Sequence, residues 1–275
     1  MSQLLALLSA VLFGFGDFTG GVASGRMHVW KVTAWSQVLG LAALVVGLLI
    51  IPAEAVTASD LIFGAVGGTA GLIGLAILYA TLAAGTMSVV APIAGATSAV
   101  IPVLVDLASG TRLTPFEWIG IICALAAVLA IGLDHSARHL DGKLLLQAVA
   151  AGVGFAVFFL ALGQTSPDSG LWPLVAARAV TIPIAMAAAL ILGVVAIPRG
   201  RDLQLVAGAG NLDMGANVAV AISLQTGPVG VNSVLASLYP AFTVLAAVLI
   251  LRERPSRRQG AGIALALVAV LLLAL

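Results

Sequence analysis

Asp213 and Asn217 lie one helical turn apart in a stretch otherwise built of alanine, valine, glycine and methionine, with Asn211 close by. Residues four apart share a helix face. An acid and an amide so placed can accept from and donate to a polar solute, or can clamp a neighbouring helix. Arg178 also stands in an apolar stretch, about 10 Å into its helix by helical rise. It can pair with Asp213, hold a solute carboxylate, or snorkel to an interface. Asp17 is a further acid inside an apolar run, with interfacial solvation as its simpler reading. Asp17, Asp106 and Asp213 are the acids available in or beside these runs to bind and release protons.

A second polar pattern follows at Asn232, Ala236, Tyr239 and Thr243, spaced i, i+4, i+7, i+11 on one helix face. Gly95, Ser98, Pro102 and Asp106 repeat it in the first half with similar spacing. Pro92, Pro102 and Pro240 remove helical partners from nearby carbonyls, which permits bending or leaves oxygens for a polar solute. Tyr79 together with Phe155, Phe158 and Phe159 can form an apolar wall, or can simply pack. Catalytic machinery is not visible: the apolar runs hold no Ser–His–Asp order, phosphate loop or HExxH helix. His135 and His139, beside Asp134 and Asp141, have the residue types of a metal site, but a short polar segment between apolar runs reads as a solvated loop. No cofactor is expected, and the single cysteine, Cys123, rules out a disulfide within the chain.

The elements that must position these groups follow from composition. Of 275 residues, 61% are apolar and 8% charged, against roughly 25% charged in soluble domains. A chain of this length has too little interior for so many apolar side chains, so its solvent is lipid. The net charge of +1, with no basic arm interleaved with aromatics, argues against a nucleic-acid partner.

Charge-free runs cover residues 32–53, 61–105, 144–167, 179–198, 214–251 and 259–275. A crossing helix needs roughly 20 residues. The runs 61–105 and 214–251 must therefore each turn once, at Ala84-Gly85-Thr86 and at Thr226-Gly227-Pro228. The fold class expected is all-α integral membrane with ten transmembrane helices, near 3–22, 33–51, 61–82, 87–108, 115–133, 144–163, 171–197, 203–223, 229–251 and 257–275. Lipid cannot satisfy loose backbone groups, and the runs lack the period-2 alternation of barrel strands. The first run lacks a basic leader and reads as a retained span. Tryptophans 30, 35, 118 and 172 sit near span ends, as in an aromatic belt. Glycines 64, 67, 68, 71 and 74 form overlapping small-xxx-small pairs suited to close helix contact.

Shifting the chain by about 140 residues places Tyr79-Ala80-Thr81-Leu82…Gly85 over Ala221-Ile222-Ser223-Leu224…Gly227, Trp30 over Trp172, and Pro115…Gly120 over Pro255…Gly260. Ordered matches along the whole chain indicate a duplicated five-helix unit, 1–138 and 139–275, with the linker 134–143 between. Five is odd, so the second copy enters the membrane from the opposite side. Such inverted repeats around a central cavity are typical of secondary transporters.

Leu238-Tyr239-Pro240-Ala241-Phe242-Thr243, and Leu251-Arg252-Glu253-Arg254-Pro255 leading into Gln259-Gly260, resemble the end of an EamA repeat in the drug/metabolite transporter superfamily. Leu12-Phe13-Gly14-Phe15-Gly16-Asp17-Phe18 is similar to the start of one. The resemblance implies ten helices around a central cavity and transport of small organic solutes, commonly export of amino acids or related metabolites. Two departures stand out. The acid after the fourth helix is present as Glu253 but replaced in the first half by Thr111-Arg112-Leu113, and Asp17 stands where the family often has asparagine.

The partners expected are thus a small amphipathic solute, an amino acid or similar metabolite, and the lipid bilayer. The substrate-binding candidates are Asp17, Tyr79, Ser98, Phe155, Arg178, Asn211, Asp213, Asn217, Asn232 and Tyr239, with Pro92, Pro102 and Pro240 as kinks or gates. The alternative is a membrane-embedded enzyme or a scaffold whose polar residues serve assembly. Loops on one side carry Arg26, Lys31, Arg138, Lys143, Arg199, Arg201, Arg252, Arg254, Arg257 and Arg258, while the other side has Arg112 alone. The cation-rich side is therefore cytoplasmic, the location a bacterial inner membrane, and both termini extracytoplasmic. A reporter active only in the cytoplasm, fused after Leu275, is expected to be silent; a strong signal would reverse this orientation.

Overall fold

The computed structural model describes residues 1–83, 87–132, 142–251 and 256–273. The turn at 84–86, the linker with His135 and His139, and the stretch holding Glu253 lie outside these. Among the described residues there are helices and loops and no strand. The helices are α1 (Ser2–Ser24), α2 (Val29–Ile50), α3 (Ala58–Ala83), α4 (Met87–Ala108), α5 (Pro115–Gly132), α6 (Gly142–Gly163), α7 (Trp172–Ile191), α8 (Gly200–Thr226), α9 (Val229–Ala236), α10 (Tyr239–Leu251) and α11 (Arg257–Leu273). Eight segments are long and apolar enough to cross a membrane, the pair Val229–Ile250 counted as one, and Pro115–Ala130 is a shorter apolar helix.

Three helices begin with the same reciprocal device. Thr57 and Asp60, Thr114 and Glu117, and Ser256 and Gln259 each exchange side-chain and backbone hydrogen bonds across three residues. Each such box satisfies amides that the first turn leaves without partners. Asp60 does more: its other carboxylate oxygen accepts the Ser166 amide at 2.8 Å, tying the start of α3 to the loop after α6.

Two spans differ from the sequence expectation. The helix expected over 171–197 stops at Ile191, because Gly193 takes φ 67°. Its amide returns to Leu190 and that of Val194 to Ala189, a Schellman ending that closes the helix. The freed loop meets α2, where the Trp35 indole donates to the Val195 carbonyl at 2.9 Å. The helix expected over 229–251 is broken at Ser237-Leu238 into α9 and α10. Pro240 has no amide to give the Ala236 carbonyl, and its ring crowds that oxygen, so the helix cannot run straight through. Pro92 and Pro102, by contrast, sit inside α4 without interrupting it.

Glycine sets how closely the helices approach. On α3, a Cβ at Gly64 or Gly68 would strike the backbone of Pro173 or Ala177 on α7, and one at Gly67, Gly71 or Gly74 would meet α6 at Ala161, Phe158 or Ala151. Two small-residue faces of one helix thus seat two neighbours, as the overlapping glycine pattern predicts. Between α2 and α8, Gly40 faces the Gly210 carbonyl and Gly210 faces that of Ser36. Helices α5 and α11 pack on each other through Ile121, Ala124, Ala127 and Val128 against Ala266, Ala269 and Leu273.

Contacts between distant segments gather at the two ends of the bundle. At one end lie Asp60–Ser166, the Gln225 amide on Thr165 and Gly170, the Ser223 hydroxyl on the Ser2 carbonyl, and the Gly230 amide on Asp106 at 2.7 Å. At the other lie Trp35–Val195 and the exposed pair Arg26–Asp202 at 2.7 Å. Gly64→Val is expected to lower unfolding stability in detergent by about 1–3 kcal/mol, since overpacked backbone contacts must separate. Gly260→Ala, where a Cβ meets open space, serves as the control and should leave the unfolding curve in place.

Candidate functional site

The site is assembled by α1 lying flush on α8. A Cβ at Gly16 would come within 3.3 Å of the Asp213 amide nitrogen, and one at Gly14 would strike Phe242 and the Tyr239 carbonyl of α10. With no side chains there, the α1 backbone approaches both helices. Asp17, the next residue, is brought beside Asp213 and into its electrostatic field. Phe13, one turn before Asp17, shares its face.

Between the helices lies a cavity of about 690 Å3, counting the space at its open mouth. Its polar wall comes from Asp17 on α1, Gln37 on α2, Arg178 on α7, and Asp213 and Asn217 on α8. Its apolar wall comes from Phe155, Phe158 and Phe159 on α6 and from Gly68, Gly71, Leu72 and Leu75 on α3, with Phe13 and Tyr239 bridging the two. Phe155 and Tyr239 meet edge to face, centroids 6.5 Å apart, an arrangement aromatic pairs favour.

One network holds the polar wall together. Arg178 Nη2 donates to Asp213 Oδ2 at 2.8 Å and Nη1 to Gln37 Oε1 at 3.0 Å. Thr181, nearly one turn further along α7, donates its hydroxyl to the same Gln37 oxygen. Asn217 donates to the Asp213 carbonyl at 2.7 Å and to its Oδ2 at 3.1 Å. Helices α2, α7 and α8 are thereby joined around a single guanidinium, whose planar fork suits several acceptors at once. Asp17, 7% exposed, has no hydrogen-bonding or ion-pairing partner among the described residues.

Of the candidates read from the sequence, Asp17, Phe155, Arg178, Asp213, Asn217 and Tyr239 line this cavity. The others do not reach it. Ser98 donates to Gly95 and Asn211 to Ala207 within their own helices, and Asn232 donates to Ser223. Tyr79 is buried with its ring against Gly20. Pro92 and Pro102 stay within α4, which contributes no lining residue, and Pro240 lies at the α9–α10 break. There Gly95 of α4 faces the Ser237 carbonyl, and the Tyr239 hydroxyl donates to the Ala91 carbonyl at 3.2 Å. Sequence reasoning missed Gln37 and Thr181. The signal for Gln37 was present, since it is the one amide within the charge-free run 32–53.

The EamA-like transporter family matches residues 142–275. The match lies in the second half of the chain, which is similar to the EamA-like transporter family. The chain is therefore a multi-pass membrane protein, related to transporters of the drug/metabolite type. A solved structure titled only as the crystal structure of a protein is similar to it, with a TM-score of 0.79, 17% identity, and coverage of 98% of this chain and 95% of that one. At that identity the likeness shows the fold alone. No curated protein matches the chain.

Arg178→Met is expected to destabilise the protein by about 3 kcal/mol, the lower range for breaking a buried pair, because Asp213 is left without its cation. Adding Asp213→Asn should recover part of that loss. A double-mutant cycle of unfolding in detergent measures the coupling, and strict additivity would mean the pair contributes nothing.

Proposed function

We propose that the chain is a secondary transporter that moves small amphipathic metabolites through the central cavity by alternating access, its two five-helix halves, 1–138 and 139–275, being inverted repeats that rock against each other. The observation that carries this reading is the cavity itself, a charged and amide-lined wall facing an aromatic one within a bundle of apolar helices. Polar groups at such a depth are costly unless they face protein or a water-filled path, and they mark solute pathways.

Packing supports the duplication. Helix α1 rests on α8 as α3 rests on α6, and α2 meets α8 as α7 meets α3. Gly14 and Gly16 of α1 press on α10 and α8, while Gly152 and Gly154 of α6 press on α4 and α3. The same spacing of two glycines thus makes the same pair of approaches in each half, with α9 and α10 together counting as one span of ten. Odd helix number per half then supports the inversion. The location proposed is the cytoplasmic membrane of a bacterium, with both termini outside. Export, and amino acids or related compounds as cargo, follow from the family resemblance. Protons are proposed as coupling ions only through the acids of the cavity.

Purified protein in liposomes is expected to accelerate counterflow of at least one solute in a panel of amino acids, amines, nucleosides and amphipathic drugs. Tyr239→Ala and Asn217→Ala should each reduce that flux about tenfold while the protein remains folded by gel filtration. Flux equal to that of empty liposomes across the panel would favour an assembly role for the polar residues, and unchanged flux in both variants would remove them from the site.

A further inference from the structure

Resting on the transporter reading, and departing from the amino-acid cargo that the family resemblance implies, we infer that the cavity selects solutes of net positive charge, organic ammonium ions with an aryl or branched alkyl body, over zwitterionic amino acids and over carboxylates. The polar wall carries two carboxylates, Asp17 and Asp213, and one guanidinium, Arg178. Arg178 is already committed to Asp213 and Gln37. Asp213 takes Asn217 as well, and the Gln37 oxygen is shared with Thr181. Each of these groups is thus held by at least one partner within the protein. Asp17 alone faces the cavity with no partner among the described residues, and it is more than nine-tenths buried.

With both acids ionised, the wall holds one more negative charge than positive, in a site walled by apolar side chains. An uncompensated charge there is expensive, and a bound cation removes the expense. An ammonium group can donate to Asp17 while the arginine network stays intact. A carboxylate on the same solute would have to sit among Asp17 and Asp213, where the one cation of the wall, Arg178, is already neutralised by Asp213. The site is therefore built against the zwitterion as well as for the amine. The body of the solute faces Phe13, Phe155, Phe158, Phe159 and Tyr239, whose rings also attract a cation lying over them. Phe13 sits one turn from Asp17 on the same helix face, so carboxylate and ring are presented together.

Three probes of one shape separate the possibilities: phenethylamine, phenylalanine and 3-phenylpropionate. Calorimetric titration of the full-length protein in detergent at neutral pH is expected to show phenethylamine binding at least tenfold more tightly than phenylalanine, with no measurable binding of 3-phenylpropionate. Asp17→Asn should lower phenethylamine affinity tenfold or more and abolish the preference, while Asp17→Glu retains it. If neither variant folds, the affinity order of the unmodified protein decides alone. Phenylalanine binding as tightly as phenethylamine, or an amine preference that survives Asp17→Asn, overturns the inference. Counterflow of phenylalanine or 3-phenylpropionate without phenethylamine leaves the transporter reading standing and removes charge selection. Binding of none of the three also removes it, while the transporter reading is then decided by the wider solute panel.

Discussion

A guanidinium surrounded by hydrocarbon must find its acceptors inside the protein, and the arrangement of the central helices follows from where Arg178 finds them. Its two outer nitrogens reach a carboxylate on α8 and an amide on α2. Neither helix can shift along its axis without leaving one of these groups unsatisfied in a medium that offers no replacement. Bilayer interiors provide no hydrophobic drive between helices, so packing and interhelical hydrogen bonds must supply the specificity. Here one side chain supplies it for three helices.

Glycine supplies the closeness that makes this reach possible. An arginine side chain spans only a limited gap, and α3 on α7, α2 on α8 and α1 on α8 all meet backbone to backbone at positions without side chains. The same economy of bulk leaves room at the centre. Where α3 turns Gly68 and Gly71 toward the middle, the opposing phenylalanines of α6 form a wall and leave space in front of it.

How much of this was legible in the sequence depended on whether the signal was local. Asp213 and Asn217 share a face by spacing alone, and both line the cavity. The glycine run of α3 could be read as close contact because its period matches two helix faces. Asn232 and Ser98 showed an equally regular stripe but donate to nearby carbonyls, since a buried amide or hydroxyl on a helix competes for backbone before it reaches a ligand. Periodicity identifies a face but not what that face meets. Gln37 illustrates the reverse: a lone amide carries no pattern, and its importance arises only because α7 brings Arg178 and Thr181 to it. The early end of α7 depended on one glycine adopting left-handed geometry, which residue type permits without requiring.

The break between α9 and α10 has a mechanical result. The Gly230 amide on Asp106 moors the first short rod to the far end of α4, while the second is held by the Tyr239 hydroxyl on the Ala91 carbonyl and by the close approach of Gly14 on α1 to Phe242. The two rods rest on different neighbours, so a bend between them falls at Ser237-Leu238, the joint that the regular helical ladder leaves there.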